Sequence, residues 1–213
     1  VNDRVKLVAS VLSVVILLFV LDTTYQGLNT LRRLEVVESE RDRWQRPADI
    51  VGSLNLRQGS TVVDLGCGSG YFALKLSEVV SSDGTVYAID IRRLPLMFLW
   101  LRSLIRHQGN VRTILGSIGN SRLPANAADA ILIANTYHEL ADPDAMLDQT
   151  FGSLVPGGRL VIVDPIRTER GELPPSVVEQ KLLGRGFDVV NRDDCFIDQS
   201  VRGRWWLIVA RKP

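Results

Sequence analysis

Cysteine, histidine and methionine are scarce in this chain of 213 residues, at two each. Cys67 and Cys195 make no disulfide framework, since Cys67 sits inside a glycine-rich loop, and they fit a reducing compartment. There is no CxxC pair, and only His107 and His138 could assist, so no metal is expected. An excess of charge of one sign is also missing. Lysine and arginine total 25 against 24 acids, and a formal net charge of +1 gives no global attraction to nucleic acid or acidic membranes. No internal repeat or low-complexity tract is present. A 46% hydrophobic, 23% charged composition at this length suits one well-packed globular domain.

What the chain does have is an uneven start. Leu7 to Leu21, LVASVLSVVILLFVL, holds nothing more polar than Ser10 and Ser13. At about 1.5 Å per residue it covers about 22 Å, short of the ~30 Å hydrocarbon core of a bilayer. It spans only with help from Thr23 to Tyr25, a snorkelling Lys6 or local thinning. Three readings compete: a cleaved signal peptide, disfavoured because no small-x-small site follows; a buried core helix; and a membrane anchor, which is the expectation taken forward. Arg4 and Lys6 precede the run, while Arg32, Arg33, Arg41, Arg43 and Arg46 follow it, a bias that places the C-terminal side in the cytoplasm at the inner membrane. The expected division is an anchor over 1–27, a helical linker or lid over 28–56, and a globular domain over 57–213.

From Thr61 the pattern becomes an alternation. Short β-rich runs (Thr61–Leu65, Thr85–Ile89, Val111–Leu115, Ala130–Ala134, Leu160–Asp164) are separated by helical stretches (Tyr71–Val80, Pro95–His107, Pro143–Leu154). Apolar strands joined by such helices predict a doubly wound α/β fold, a parallel sheet covered on both faces. After a helix over Ser176–Arg185, Phe187–Val190 and Trp205–Val209 are separated only by a turn region, which predicts an antiparallel hairpin at the sheet edge.

The first strand runs into Asp64-Leu65-Gly66-Cys67-Gly68-Ser69-Gly70. Such a loop turns tightly and lets the backbone approach a ligand, which glycine permits. A GxGxG run alone does not separate cofactors, since dinucleotide enzymes use close relatives of it. Asp64 does: a carboxylate there suits an ammonium group and would repel a pyrophosphate. Asp90, 20 residues beyond Gly70 and at the end of the second strand, is placed to accept hydrogen bonds from ribose hydroxyls.

VVDLGCGSGYF, VYAID, LVPGGRLVIVD and the final hairpin together resemble the class I S-adenosylmethionine-dependent methyltransferases, from about Arg41 to the C-terminus. ERDRWQRPADIV and ANTYHEL resemble, more narrowly, a group of small bacterial members of largely unassigned substrate. The resemblance implies a Rossmann-like seven-stranded sheet in the order 3-2-1-4-5-7-6 with the seventh strand antiparallel, and S-adenosyl-L-methionine as cofactor. It further implies that Asp64, Gly66, Cys67, Gly68, Ser69 and Gly70 hold the methionine part, Asp90 the ribose and Ile91 the adenine. Many members carry an acid on the adenine amino group after the third strand; here Gly116-Ser117-Ile118 stands there, with Ser117 as a weaker substitute. No NPPY-like or DPPY-like element follows the fourth strand to hold a flipped base, so nucleic acid is not the expected substrate.

Methyl transfer requires an aligned nucleophile and, for some acceptors, a proton acceptor. Asn135, Tyr137, His138 and Glu139 follow the fourth strand, at the edge where open α/β sheets collect ligands. His138 is the candidate general base, against the plain alternative of a structural histidine or cap. Tyr137 is the candidate for orienting substrate or shielding a sulfonium with its ring, and Asn135 for a place in the cofactor loop. Trp44 is either a wall over the methionine end or core packing. The stretch Pro95–His107 is apolar on nearly every side, and with Arg92, Arg93, Arg102 and Arg106 nearby it is either packed deeply or faces a membrane. The short segment between Asp164 and Leu173 leaves an open site. The combined expectation is methyl transfer to a small or lipid-like acceptor at the membrane. The alternative is an inactive, membrane-tethered cofactor-binding module.

Overall fold

The computed structural model describes residues 2–169 and 171–213. It divides into a first unit ending at Arg43 and a second, Trp44–Pro213. The described residues of the first unit lie in a single helix, α1 (Asn2–Trp44), whose last residue belongs to the second unit, so the boundary expected at residues 27 and 28 falls inside an uninterrupted element. Its large apolar side chains from Val5 to Leu21 are all exposed. Within this stretch Ser13 Oγ turns back to donate to the Ala9 carbonyl at 2.9 Å, and just past it Thr24 Oγ1 donates to that of Val20 at 2.7 Å.

The second unit begins with α2 (Pro47–Ser53) and continues β1 (Thr61–Leu65), α3 (Tyr71–Val80), β2 (Thr85–Asp90), α4 (Arg93–Ile105), β3 (Val111–Leu115) and β4 (Ala128–Ala134). A short 3-10 turn, Tyr137–Glu139, leads to α5 (Pro143–Ser153), β5 (Leu154–Pro165), α6 (Pro175–Leu183), β6 (Asp188–Gln199) and β7 (Gly203–Arg211). The seven strands form one sheet in the order β3-β2-β1-β4-β5-β7-β6. The first five run parallel, and β7 is antiparallel to both β5 and β6. This is the doubly wound architecture that the alternation implied.

The central strands read as continuous apolar runs because both faces are covered. Successive residues point to opposite faces, so Val62, Ala130, Leu132 and Val161 join one core with Leu74 and Leu99. Val63, Ile131, Leu160 and Ile162 join the other with Leu147, Leu182 and Trp206. Local signals set the element ends. Asp142 caps α5, accepting from the Ala145 N–H at 3.0 Å, with Pro143 in the first turn where a missing N–H is harmless. Several strands are longer than the sequence suggested, β5 and β6 most of all. β5 starts at Leu154 rather than Leu160, carrying Gly157 at φ 80 and a register shift between Ala128 and Ala130 of its partner. β6 runs on to Gln199, with register shifts against β7 at Val189/Asn191 and Asp193/Ile197. Bulges of this kind keep a strand paired through residues that punctuate it.

Candidate active site at the carboxyl edge of the sheet

The loop from β1 to α3 is shaped by three glycines, each for its own reason. Gly66, Gly68 and Gly70 have φ of +79°, +53° and +92°, where an L side chain is strained. A Cβ on Gly66 would also overlap the Thr136 side chain, and one on Gly70 would overlap Leu99. Gly68 meets nothing within 4 Å and faces open space. The turn is pinned from below, with the Gly66 and Cys67 N–H groups donating to the Ile89 carbonyl at 2.8 and 3.0 Å. From the side, the Arg102 guanidinium donates to the Ser69 carbonyl at 2.6 Å. Arg102 is buried, which corrects the expectation that it joins a membrane-facing surface.

Two buried carboxylates flank the loop. Asp64 is 2% exposed and Asp90 5%. Burial first, and then the charges of Asp64 and Asp90, push the Cys67 thiol well above its ordinary pKa. The Cys67 side chain is buried in the core cluster, so this residue offers the cradle its backbone. Asp90 accepts from the Gly68 N–H at 2.9 Å and the Arg92 N–H at 2.8 Å, and the mostly exposed Arg92 side chain reaches it at 3.2 Å. Ile91 follows, exposed, and the Gly116 N–H donates to the Asp90 carbonyl at 3.0 Å, bringing the end of β3 alongside. Ser117 lies there exposed, bridged to Asn120. Asn135 is exposed at the end of β4 with φ 55°, its N–H held by the Val163 carbonyl. A backbone cradle open at Gly68 and two desolvated acids fit a ligand with a cationic amino-acid tail and a hydroxyl-bearing sugar.

Beside this cradle the 3-10 turn carries His138. Its backbone N–H donates to Asp164 Oδ2 at 2.7 Å, and its Nδ1 lies 3.0 and 3.1 Å from the two carboxylate oxygens. Asp164, at the end of β5, is fully buried. Burial raises its pKa, while the bonds from His138 pull it back. With Asp164 ionised, Nδ1 carries the proton and the lone pair sits on Nε2. Nε2 faces Glu139 at 3.9 Å. His138 lines an open cleft of about 760 Å³ with Glu139, Pro165, Arg167, Thr168 and Glu169.

Tyr137 is turned the other way. It is 4% exposed, its ring meets Trp206 edge-on with centroids 6.5 Å apart, and burial lifts its phenol to about 12. The substrate-orienting part expected of it has no hydroxyl at the edge to carry it. Trp44 packs edge-on against Trp205 at 5.4 Å, with the Arg202 guanidinium over its ring. Asp164 and Thr136 were not singled out as site residues in the sequence, and Arg102 was read there only as a neighbour of the apolar helix. Only the terminal acid of LVIVD hinted at the first.

Residues 56–199 match the model of a methyltransferase domain. Among curated proteins the chain is 26% identical to a demethylmenaquinone methyltransferase of a Geobacillus species over 132 residues, 62% of this chain and 56% of that one. It is 31% identical over 150 residues to a protein-L-isoaspartate O-methyltransferase of Ignicoccus hospitalis, 66% of each chain. The matches thus span about three-fifths of these relatives' lengths. Among solved structures it superposes with a TM-score of 0.71 on an S-adenosylmethionine-dependent methyltransferase from Aquifex aeolicus, 24% identical, covering 86% of this chain and 98% of the other. With the family model covering well over half of the chain and the strand order in agreement, the chain belongs to the class I S-adenosylmethionine-dependent methyltransferases.

Proposed function

We propose that the protein methylates a small, membrane-soluble acceptor at the cytoplasmic face of the inner membrane, with His138 receiving the acceptor's proton. The observation that carries this reading is the Asp164–His138 pair beside an open cleft at the carboxyl edge of the sheet. S-adenosylmethionine supplies an activated methyl group. The chain's part is to hold it, with Asp64 and the backbone of Gly66–Gly70 toward the amino-acid tail, Asp90 toward the ribose, and Ile91, Ser117 and Asn135 around the base and loop. Asp164 is the positioning residue: it fixes the imidazole by two contacts and stabilises the imidazolium when Nε2 takes a proton. Tyr137 is assigned to packing beneath this turn. The two curated relatives differ in substrate, one named for a quinone and one for a protein. Three features favour the apolar, membrane-soluble class: the exposed apolar run of α1, the Ser13 and Thr24 hydroxyls satisfied within the helix, and the uncovered cleft.

The test supplies purified protein with S-adenosylmethionine and a lipid extract of membranes, and measures S-adenosylhomocysteine. Turnover that falls at least tenfold in His138→Ala and Asp164→Asn, with cofactor affinity retained, supports the assignment. Cofactor binding without turnover on any lipid or soluble extract overturns it.

A further inference from the structure

Helix α4 has two faces of opposite kind. Leu96, Leu99, Arg102 and Ser103 turn inward. Leu94, Met97, Trp100, Leu101, Leu104 and Ile105 are exposed, Leu94 by 60% and Trp100 by 53%. At 3.6 residues per turn these six fall within an arc of about 140°, the arc that a surface helix normally fills with polar groups. The charge along this stretch of sequence is one-sided: from Ile91 to Ala128 the chain has six arginines and no acid, although Arg102 is buried on the inner face and Arg92 pairs with Asp90. Arg93 in the first turn and Arg106 just past the last are both exposed and stand at the two ends of the helix.

We infer that the outer face of α4 is an interfacial docking surface for an anionic lipid bilayer, with its six apolar side chains at the top of the acyl region and the flanking arginines at the phosphates. An apolar arc with an arginine at each end of the helix and a tryptophan within it is a pattern that lies in a membrane interface. A nucleic acid would use the arginines and leave the arc between them unsatisfied. An isologous dimer through this face would bring arginine-rich rims together.

The placement has a consequence for access. The inner face of the same helix carries the groups that set the cofactor loop: Arg102 on the Ser69 carbonyl and Leu99 against Gly70. The lipid surface and the cradle are therefore two sides of one helix, and an acceptor dissolved in the bilayer has a short path to the site. This last step rests on the proposed membrane-side acceptor. Docking itself does not, and its test needs no turnover.

The full chain is reconstituted in vesicles of phosphatidylcholine with phosphatidylglycerol, some of the lipid brominated high on the acyl chain, and tryptophan emission is followed in the native protein and in Trp100→Phe. α1 tethers both proteins alike, so the difference reports Trp100. The Trp100 component should be quenched by the brominated lipid and protected from aqueous iodide. Met97→Gln with Leu104→Gln should lose most of that quenching while circular dichroism and S-adenosylhomocysteine binding stay unchanged. Three results would each overturn the docking proposal: a Trp100 component open to iodide and untouched by lipid, one shielded from both (another protein surface covers it), or equal quenching in vesicles of phosphatidylcholine alone. Lost turnover with the quenching intact would fault the proposed reaction and leave the docking face standing.

Discussion

Replacing Tyr137 by phenylalanine removes one oxygen from the core. The hydroxyl is buried and, among the described residues, has no hydrogen-bond partner. An unsatisfied buried donor costs about 1–3 kcal/mol. Its removal leaves the ring packed on Trp206 and opens a space of one atom, so the net expectation at neutral pH is a gain of about 1 kcal/mol, roughly 2–4 °C in Tm for a domain of this size. The pH dependence gives a second, independent magnitude. Burial holds the folded phenol at about 12, above its ordinary value of 10. The unfolded chain therefore loses this proton first. Stability from this group is complete below pH ~10 and falls by about 1.4 kcal/mol per unit as pH rises toward 12, up to about 2.7 kcal/mol in all. Denaturant unfolding at pH 7 to 12 of both proteins isolates it, because every other titrating group cancels in the difference. Tyr137→Phe should match or exceed the native protein at pH 7 and pull further ahead with alkali. A variant that is less stable at pH 7, or that keeps its stability but loses tenfold or more in turnover, would refute the inward placement of the hydroxyl and return Tyr137 to the site.

Asp64→Asn keeps the shape of the cradle and removes the charge proposed to face the cofactor's ammonium group. Calorimetry with S-adenosylhomocysteine should show binding weakened by about 10- to 100-fold, the value of a charge-assisted hydrogen bond. Gly66→Ala meets both a φ of +79° and the Thr136 side chain. Its expected cost is about 2–4 kcal/mol in thermal unfolding, with cofactor binding lost. Arg102→Met retains the buried stem but drops the bond to the Ser69 carbonyl. It should weaken S-adenosylhomocysteine binding several-fold with only a small change in Tm, as seen by calorimetry and melting together.

Elements carried by local chemistry were legible in the sequence. Thr61–Leu65 and Tyr71–Val80 have the bounds the sequence pattern gave them, because a buried apolar run, a glycine turn and a helical period follow one another without ambiguity. The sheet order followed from family resemblance and the final hairpin. β5 was cut short because Pro156-Gly157-Gly158 reads as a turn, whereas pairing with β4 absorbs it through a shifted register. The junction at residue 27 had no physical marker, since one glycine does not end a helix whose neighbours all propagate it. Pairings across the chain were invisible. Asp164 lies 26 residues from His138, and Arg102 lies 33 from Ser69; only the folded sheet edge brings each pair together. Proximity in sequence grouped Arg102 with the other arginines around the apolar helix, because a guanidinium that bonds a carbonyl looks like any other in sequence.

The two thiols sit in opposite situations: Cys195 is exposed on β6, and Cys67 is buried under the glycine turn, its proton held by that burial and then by the nearby acids. The protein therefore contains its own pair of chemical reporters. An alkylating reagent should tag exposed Cys195 first, while modification of Cys67 waits for the turn to lift, so the lag between the two reactions clocks how often the cofactor cradle opens.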